Sequence, residues 1–410
     1  MIYYFNPDTE MALREGPSAF YIAPAPVRQM ANDLSLLPLW LGKAGDKILV
    51  EELPPSGFMG QMQTLLPTEE LPVILTPEKL HQEPLTPWGW NPTLFAKLKR
   101  WGLNYPDEEA IAYLRYDLGN KANLYLLDES LMTQGVHSAQ ERHFAIHSVD
   151  EAEELLSLHP QRFAHGFLLK ESYSSSGRGH RWCRPSSSSQ LPHQLLTDEL
   201  RAWISRRTNR GEVIDLEPLF DKVADFALLF HLSPHSEAHF SGYSLFETTF
   251  EGAYRSNLLA SNEAILHHLG KLVDTSLIEE AKQAYLHLFN ERYSRLSGPI
   301  GVDMMIYRHA ENGTYTLHPN VEINPRPTMG LIARHLYDRL LTPPARWQDC
   351  ITGWRFVVEG STSSAELQQR HATDLALHPL LRDAYGNLSS GYIPLTPVTN
   401  NTRFRAYLFR

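Results

Sequence analysis

The segment from Gly301 to Arg326, GVDMMIYRHAENGTYTLHPNVEINPR, constrains the fold more than any other stretch of the chain. Two strand-like runs flank Asn312-Gly313, the dipeptide that most favours a two-residue type I′ hairpin turn. With a regular hairpin, Asp303 stands opposite Glu322, and directly opposed side chains lie about 5 Å apart on one face. Two like charges at that spacing repel each other unless something compensates, and a divalent cation would do so. Asn324 returns to the same face by the strand period and adds a neutral oxygen. Two carboxylates and an amide suit magnesium, with manganese as a substitute, because such a site leaves positions for water and substrate phosphates. The same acids would also fit a solvent-facing hairpin, and Pro319 in the second run can introduce a bulge that spoils the pairing. A consequence of the metal reading is that Glu322→Gln should abolish magnesium-dependent turnover with little stability loss, or a gain, because it removes like-charge repulsion.

Pro325 and Pro327 hold Asn324 and Arg326 extended, since a residue before proline is kept out of the helical region. Arg326 is thereby presented as a planar fork suited to phosphate or carboxylate, although a solvated charge is the plain alternative. Thr328 can then cap a helix from Met329 to Leu336.

The rest of the chain bounds the setting. Its 410 residues, 42% of them hydrophobic, suffice for two or three packed domains. A formal charge of -10 argues against a nucleic acid or an anionic membrane as partner, which leaves small-molecule or peptide substrates. Cys183 and Cys350 form no CxxC pair, Asp8 and Glu10 interrupt any leader, and no run approaches the roughly 18 apolar residues of a membrane span, so a cytoplasmic protein is expected. The 19 histidines show no HExxH spacing, which disfavours zinc and makes most of them surface or packed residues.

Along the first hundred residues, short apolar strands at Ile2 to Phe5, Lys47 to Glu51 and Leu71 to Leu75 alternate with helical stretches, and a helix is expected from about Asn91 to Trp101. The first strand runs into Asn6-Pro7-Asp8-Thr9-Glu10, at the end of a strand where an α/β sheet faces its ligand, or into a plain turn. A helix follows from Lys121, capped by Asn120. Phe167 to Leu169 reads as a strand that ends in Lys170 and a Ser/Gly loop, Ser172 to Gly179. Val213 to Leu216 and Phe226 to Phe230 read as strands, and Asn262 to Arg295 as helical.

In the order of these stations the chain resembles the ATP-grasp superfamily over about residues 115 to 335, with Asp303 and Glu322-Ile323-Asn324-Pro325-Arg326 matching that family's magnesium signature. The resemblance implies an α/β fold with an α+β ATP-grasp core: an N-terminal domain at 1–115, nucleotide-binding subdomains at 116–215 and 216–340, and a C-terminal extension at 341–410. It implies ATP and magnesium as cofactors. Lys121 would stand at the start of the nucleotide-binding module, Lys170 would reach the phosphates, and the loop carrying Ser175, Ser176, Gly177 and Gly179 would close over them. Glu217, Leu219 and Phe220 would edge the adenine, and Asp225 would hold the ribose. Where a related branch carries an arginine two residues before the first metal acid, this chain has Gly301, so an oxyanion contact is expected from Arg326 or Arg255. Tyr243, Tyr254 and Arg255 would line an acceptor pocket, or the segment Gly242 to Asn257 is a plain hairpin.

The family's usual reaction makes a carboxylate-amine ligase the leading expectation, ahead of a small-molecule kinase and a non-catalytic nucleotide-binding protein. For the C-terminal stretch the sequence does not choose between covering the cleft and forming a homodimer contact.

Overall fold

The computed structural model describes all of the chain except residues 16–20, 67–69, 104–116, 137, 139–140, 175–178, 188, 234–235, 251, 310–312 and 342–351. Asn312, Ser175, Ser176 and Gly177 therefore lie outside the described residues.

Strands β1 (Ile2–Tyr4), β2 (Lys47–Leu49), β3 (Val73–Leu75) and β4 (Leu85–Pro87) form a parallel sheet in the order β3-β2-β1-β4. Parallel pairing requires long crossovers, and helices Ala25–Asp33 and Ser56–Gln63 fill them. Asn91 caps helix Pro92–Arg100 by accepting from the Leu94 N–H at 2.8 Å. The carboxyl ends of β1 and β4 open on the same side, where helix Thr9–Glu15 begins. Gly89 permits that helix to approach, since a Cβ there would stand 2.4 Å from the Thr9 methyl.

A second sheet holds β5 (Phe144–Ile146), β6 (Phe167–Glu171), β7 (His180–Cys183) and β8 (Ile214–Pro218) in the order β5-β8-β6-β7. It packs its own core with helices Val149–Leu158 and Asp198–Thr208. The third sheet is the largest: β9 (Asp221–Leu232), β10 (His239–Thr248), β11 (Tyr254–Leu258), β12 (Gly298–Arg308), β13 (Tyr315–Asn324) and β14 (Arg355–Gly360). A separate small hairpin, β15 (Leu381–Arg382) with β16 (Leu388–Ser390), precedes β17 (Tyr392–Pro394) and β18 (Phe404–Phe409), which extend the large sheet beyond β14. The C-terminal segment thus completes the sheet, in the order β13-β12-β9-β10-β11-β14-β18-β17.

One hydrophobic core lies between this sheet and helices Leu124–Thr133, Asn262–Leu269 and Thr275–Arg292. Another joins N-terminal residues such as Trp40 and Ile48 to helix Met329–Leu336 and to Trp354, Phe356 and Leu408. This shared core fixes the N-terminal domain against the large sheet. No described helix is long and apolar enough to cross a membrane.

Two expectations need correction. Lys121–Asn123 is a 3₁₀ turn, and the α-helix starts only at Leu124, with Asn123 in place of Asn120 at its cap. The second correction concerns the β12–β13 hairpin, which is not regular. Arg308 pairs with Tyr315 and Met305 with His318, two residues out of the register a two-residue turn would give. Between Met305 and Asp303, however, β13 runs two residues longer than β12 across Pro319, Asn320 and Val321. The bulge cancels the offset, and Asp303 faces Glu322 after all.

Candidate active site

The large sheet and the N-terminal domain enclose a cleft whose lining includes Asp303, Glu322, Asn324 and Arg326. Asp303 is deeply placed, and burial together with the neighbouring Glu322 and Asp225 charges pushes its carboxyl up to about 8. Glu322 moves the other way. Burial would raise it, but Lys121, whose Nζ lies 2.8 Å from Oε1, and the Lys170 charge hold it below its ordinary value. Asn324 donates from Nδ2 to Asp303 Oδ2 at 3.1 Å and accepts from Arg326 Nη2 at 3.0 Å. The largely buried, oxygen-only donor set, in which two facing carboxyls disfavour each other's charge, fits a hard divalent metal.

Arg326 is anchored from outside the hairpin. Its Nε donates to Glu10 at the start of helix Thr9–Glu15, and Nη1 donates to the Pro327 carbonyl at 3.2 Å. With the Nη2 bond to Asn324, these engage three of its five N–H donors. Thr328 caps the following helix as expected, accepting from the Leu331 N–H at 3.2 Å.

Beyond Glu322, Lys170 on β6 is buried and donates to Glu217 Oε2 at 2.7 Å and to the Val321 carbonyl at 3.1 Å. Burial works against its charge, and the Glu217 and Asp215 carboxylates outweigh that cost. Leu219 and Phe220 follow β8 at the edge of a second cavity, where the Phe220 ring lies 4.3 Å from that of Tyr307. Asp225 accepts from Lys222 and, at 2.8 Å, from the Thr248 hydroxyl. Gly179 takes a positive φ of 83° where the loop re-enters β7.

Two expected residues are not brought into the cleft. Arg255 is exposed on β11, and Tyr243 is buried in the core behind the sheet. Strand alternation explains Tyr243, because Ser244, Phe246 and Thr248 face the cleft from β10, while Arg255 is the extra residue where the β10–β11 ladder is irregular, between Tyr254 and Ser256.

Three residues went unread in the sequence. Glu10 was visible only as part of a strand end. His180, on β7, lines the cleft. Burial and the Lys121 and Lys170 charges push its imidazole down to about 3, and neither ring nitrogen has a hydrogen-bond partner among the described residues. His143 is fully buried, with Nδ1 3.0 Å from Asp215 and Nε2 2.8 Å from the Asn320 carbonyl. Both nitrogens face acceptors, so the ring is an imidazolium. Burial opposes that charge, but Asp215 and Asp128 raise the pKa to about 9. His143, Asp215 and Glu217 come close enough together to hold a metal, yet the His143 proton and Lys170 already neutralise these acids. A signal existed in β8, IDLEP, where Asp215 and Glu217 share one face of a fully buried strand and so call for two cations.

No protein-family model and no curated protein sequence matches the chain. Its fold is the α+β ATP-grasp fold, shared at low identity with enzymes of known structure. Biotin carboxylase from Campylobacter jejuni, solved as a β,γ-ATP complex, superposes with a TM-score of 0.50 at 10% identity, covering 100% of this chain and 86% of that one. N5-carboxyaminoimidazole synthetase from Staphylococcus aureus gives 0.48 at 10% identity, covering 100% and 92%.

Proposed function

We propose that the protein is a magnesium- and ATP-dependent carboxylate-amine ligase that forms ADP. The observation that carries this reading is the convergence of Asp303, Glu322, Asn324 and Arg326 with Lys121 and Lys170 at one end of a cleft. Magnesium would be held by the first three and, when bound, would bridge and neutralise phosphate oxygens. Lys170, Lys121 and the loop ending at Gly179 would place the triphosphate, with Glu217, Leu219 and Phe220 at the adenine and Asp225 at the ribose. Arg326 would orient the acceptor carboxylate through its remaining N–H groups.

A carboxylate oxygen attacks the γ-phosphorus, the bond to the β-phosphate oxygen breaks, and ADP leaves with the electron pair. An amine then attacks the acyl carbon and phosphate departs, the amine proton passing to solvent. The cytoplasm is the compartment we assign to this reaction. The test is ADP release in the presence of hydroxylamine. A hydroxamate derived from the carboxylic substrate is expected, whereas a stable phosphorylated product without hydroxamate would make the protein a kinase.

The unpartnered His180 imidazole belongs to the same reading, as a donor awaiting a phosphate oxygen. A buried polar group without a partner costs about 1–3 kcal/mol. His180→Leu is therefore expected to leave the melting temperature of the ligand-free protein unchanged or raised while weakening ADP binding about tenfold by calorimetry. Equal ADP affinity in the variant would remove His180 from the phosphate site.

A further inference from the structure

The cleft wall away from the acids has a chemistry of its own, which rests on the ligase reading for its reacting group and concerns the body of the substrate. Phe246 on β10 and Tyr254 on β11 form its floor, Trp88 stands at the end of β4, and Met329 closes one side. Trp88 is fixed edge-on against Phe5, with ring centroids 4.8 Å apart.

Apart from the unpartnered His180 imidazole, polar groups among these apolar faces bond one another or their neighbours. The Tyr254 hydroxyl donates to Asn257 Oδ1 at 2.7 Å, and Asn257 Nδ2 donates to Ser244 Oγ at 2.7 Å and to the Leu245 carbonyl at 3.2 Å. Thr248 bonds Asp225 and Lys222. A polyhydroxylated ligand needs several donors and acceptors with free capacity, and on this wall the Tyr254, Asn257 and Thr248 groups are engaged with one another or with their neighbours. A ligand with a second anionic group needs a further cation. Among the described residues, Arg326 is the one Lys or Arg lining this wall of the cleft, and it lies at the reacting end, as do Lys121 and Lys170 behind Glu322.

We propose that the acceptor is a small carboxylic acid with an aromatic body, its carboxylate beside Asp303, Glu322 and Arg326 and its ring against Trp88, Phe246, Tyr254 and Met329. Rings and a thioether supply offset, edge-on and sulfur contacts that favour a flat π-system over an aliphatic chain of equal area.

The experiment compares aromatic, phosphorylated and polyhydroxylated carboxylic acids, with magnesium present, by calorimetry alongside a non-hydrolysable ATP analogue and by ADP release with ATP. Aromatic acids are expected to bind and be turned over in preference. Phe246→Ala should raise the KM for the aromatic acid about tenfold and leave the KM for ATP within about twofold. Phe246→Leu, which keeps much of the apolar volume, should fall between and serves if the alanine variant fails to fold. Preference for a phosphorylated or polyhydroxylated acid, an equal rise in both KM values, or no binding by any aromatic acid overturns the proposal. An aromatic acid that binds without ADP release supports the substrate class and counts against the ligase reading. A polar acid that yields ADP and a hydroxamate does the reverse.

Discussion

Asp303→Asn and Glu322→Gln are expected to silence the enzyme alike and to differ sharply in stability. Each removes one carboxylate from the proposed magnesium site, and the loss of metal-assisted charge neutralisation should lower magnesium-dependent kcat/KM at least about a hundredfold. In the metal-free protein Asp303 keeps its proton near neutral pH, held up by burial and by Glu322, so an asparagine replaces a group that is already largely neutral. Its unfolding midpoint should stay close to that of the parent. Glu322 is instead the ionised partner of Lys121, whose side chain is only 6% exposed. Neutralising Glu322 strands that buried ammonium, and breaking a buried pair from one side costs about 3–5 kcal/mol. The sequence-based expectation that Glu322→Gln would be benign is thus transferred to Asp303, because the lysine across the cleft decides which acid carries the charge. Urea denaturation of both variants without metal checks this, and equal destabilisation would refute the assignment.

The second large effect belongs to His143. His143→Ala should cost about 3–5 kcal/mol, because it leaves the Asp215 carboxylate, with no exposed surface, without its cation. The pH dependence carries a sign. The folded protein holds the His143 proton up to about 9, while the unfolded chain releases it near 6.5. Stability from this group is therefore complete below pH 6.5 and lost as pH rises through 9. Asp303 acts in the same direction over a lower window, from its unfolded value near 3.8 to about 8, and saturating magnesium should remove that contribution. In magnesium, then, the parent should lose stability between pH 6.5 and 9, and His143→Ala should show a much flatter profile. Parallel profiles would mean that the imidazolium is not the titrating group.

Much of the site could be read from local rules. Thr328 caps its helix because a threonine before an apolar run can accept from the third N–H. Glu217 and Lys170 fall on buried strands, β8 and β6, the latter marked by the apolar run Phe167 to Leu169. Arg255 was misread because it falls at an irregularity of the β10–β11 ladder, where the strand period no longer assigns a face. His143 was missed because its partners come from distant segments, Asp128, Asp215 and Asn320.

The pairing of Asp303 with Glu322 shows where the division falls. The sequence by itself determined that two long strands carry opposed acids followed by a proline-stiffened arginine, since strand period and proline stereochemistry are local properties. Only the tertiary structure decided how the register is reached, through a turn offset by two residues and a bulge that takes two back. That bulge also frees three backbone carbonyls from the ladder. Pro319 accepts from the Tyr285 hydroxyl at 3.1 Å, Asn320 from His143 at 2.8 Å and Val321 from Lys170 at 3.1 Å. A buried carbonyl outside a ladder must find a donor, and those donors come from segments far away in the chain. Local sequence could therefore place the acids, while the packing of remote side chains against the bulge fixed their register and their charge.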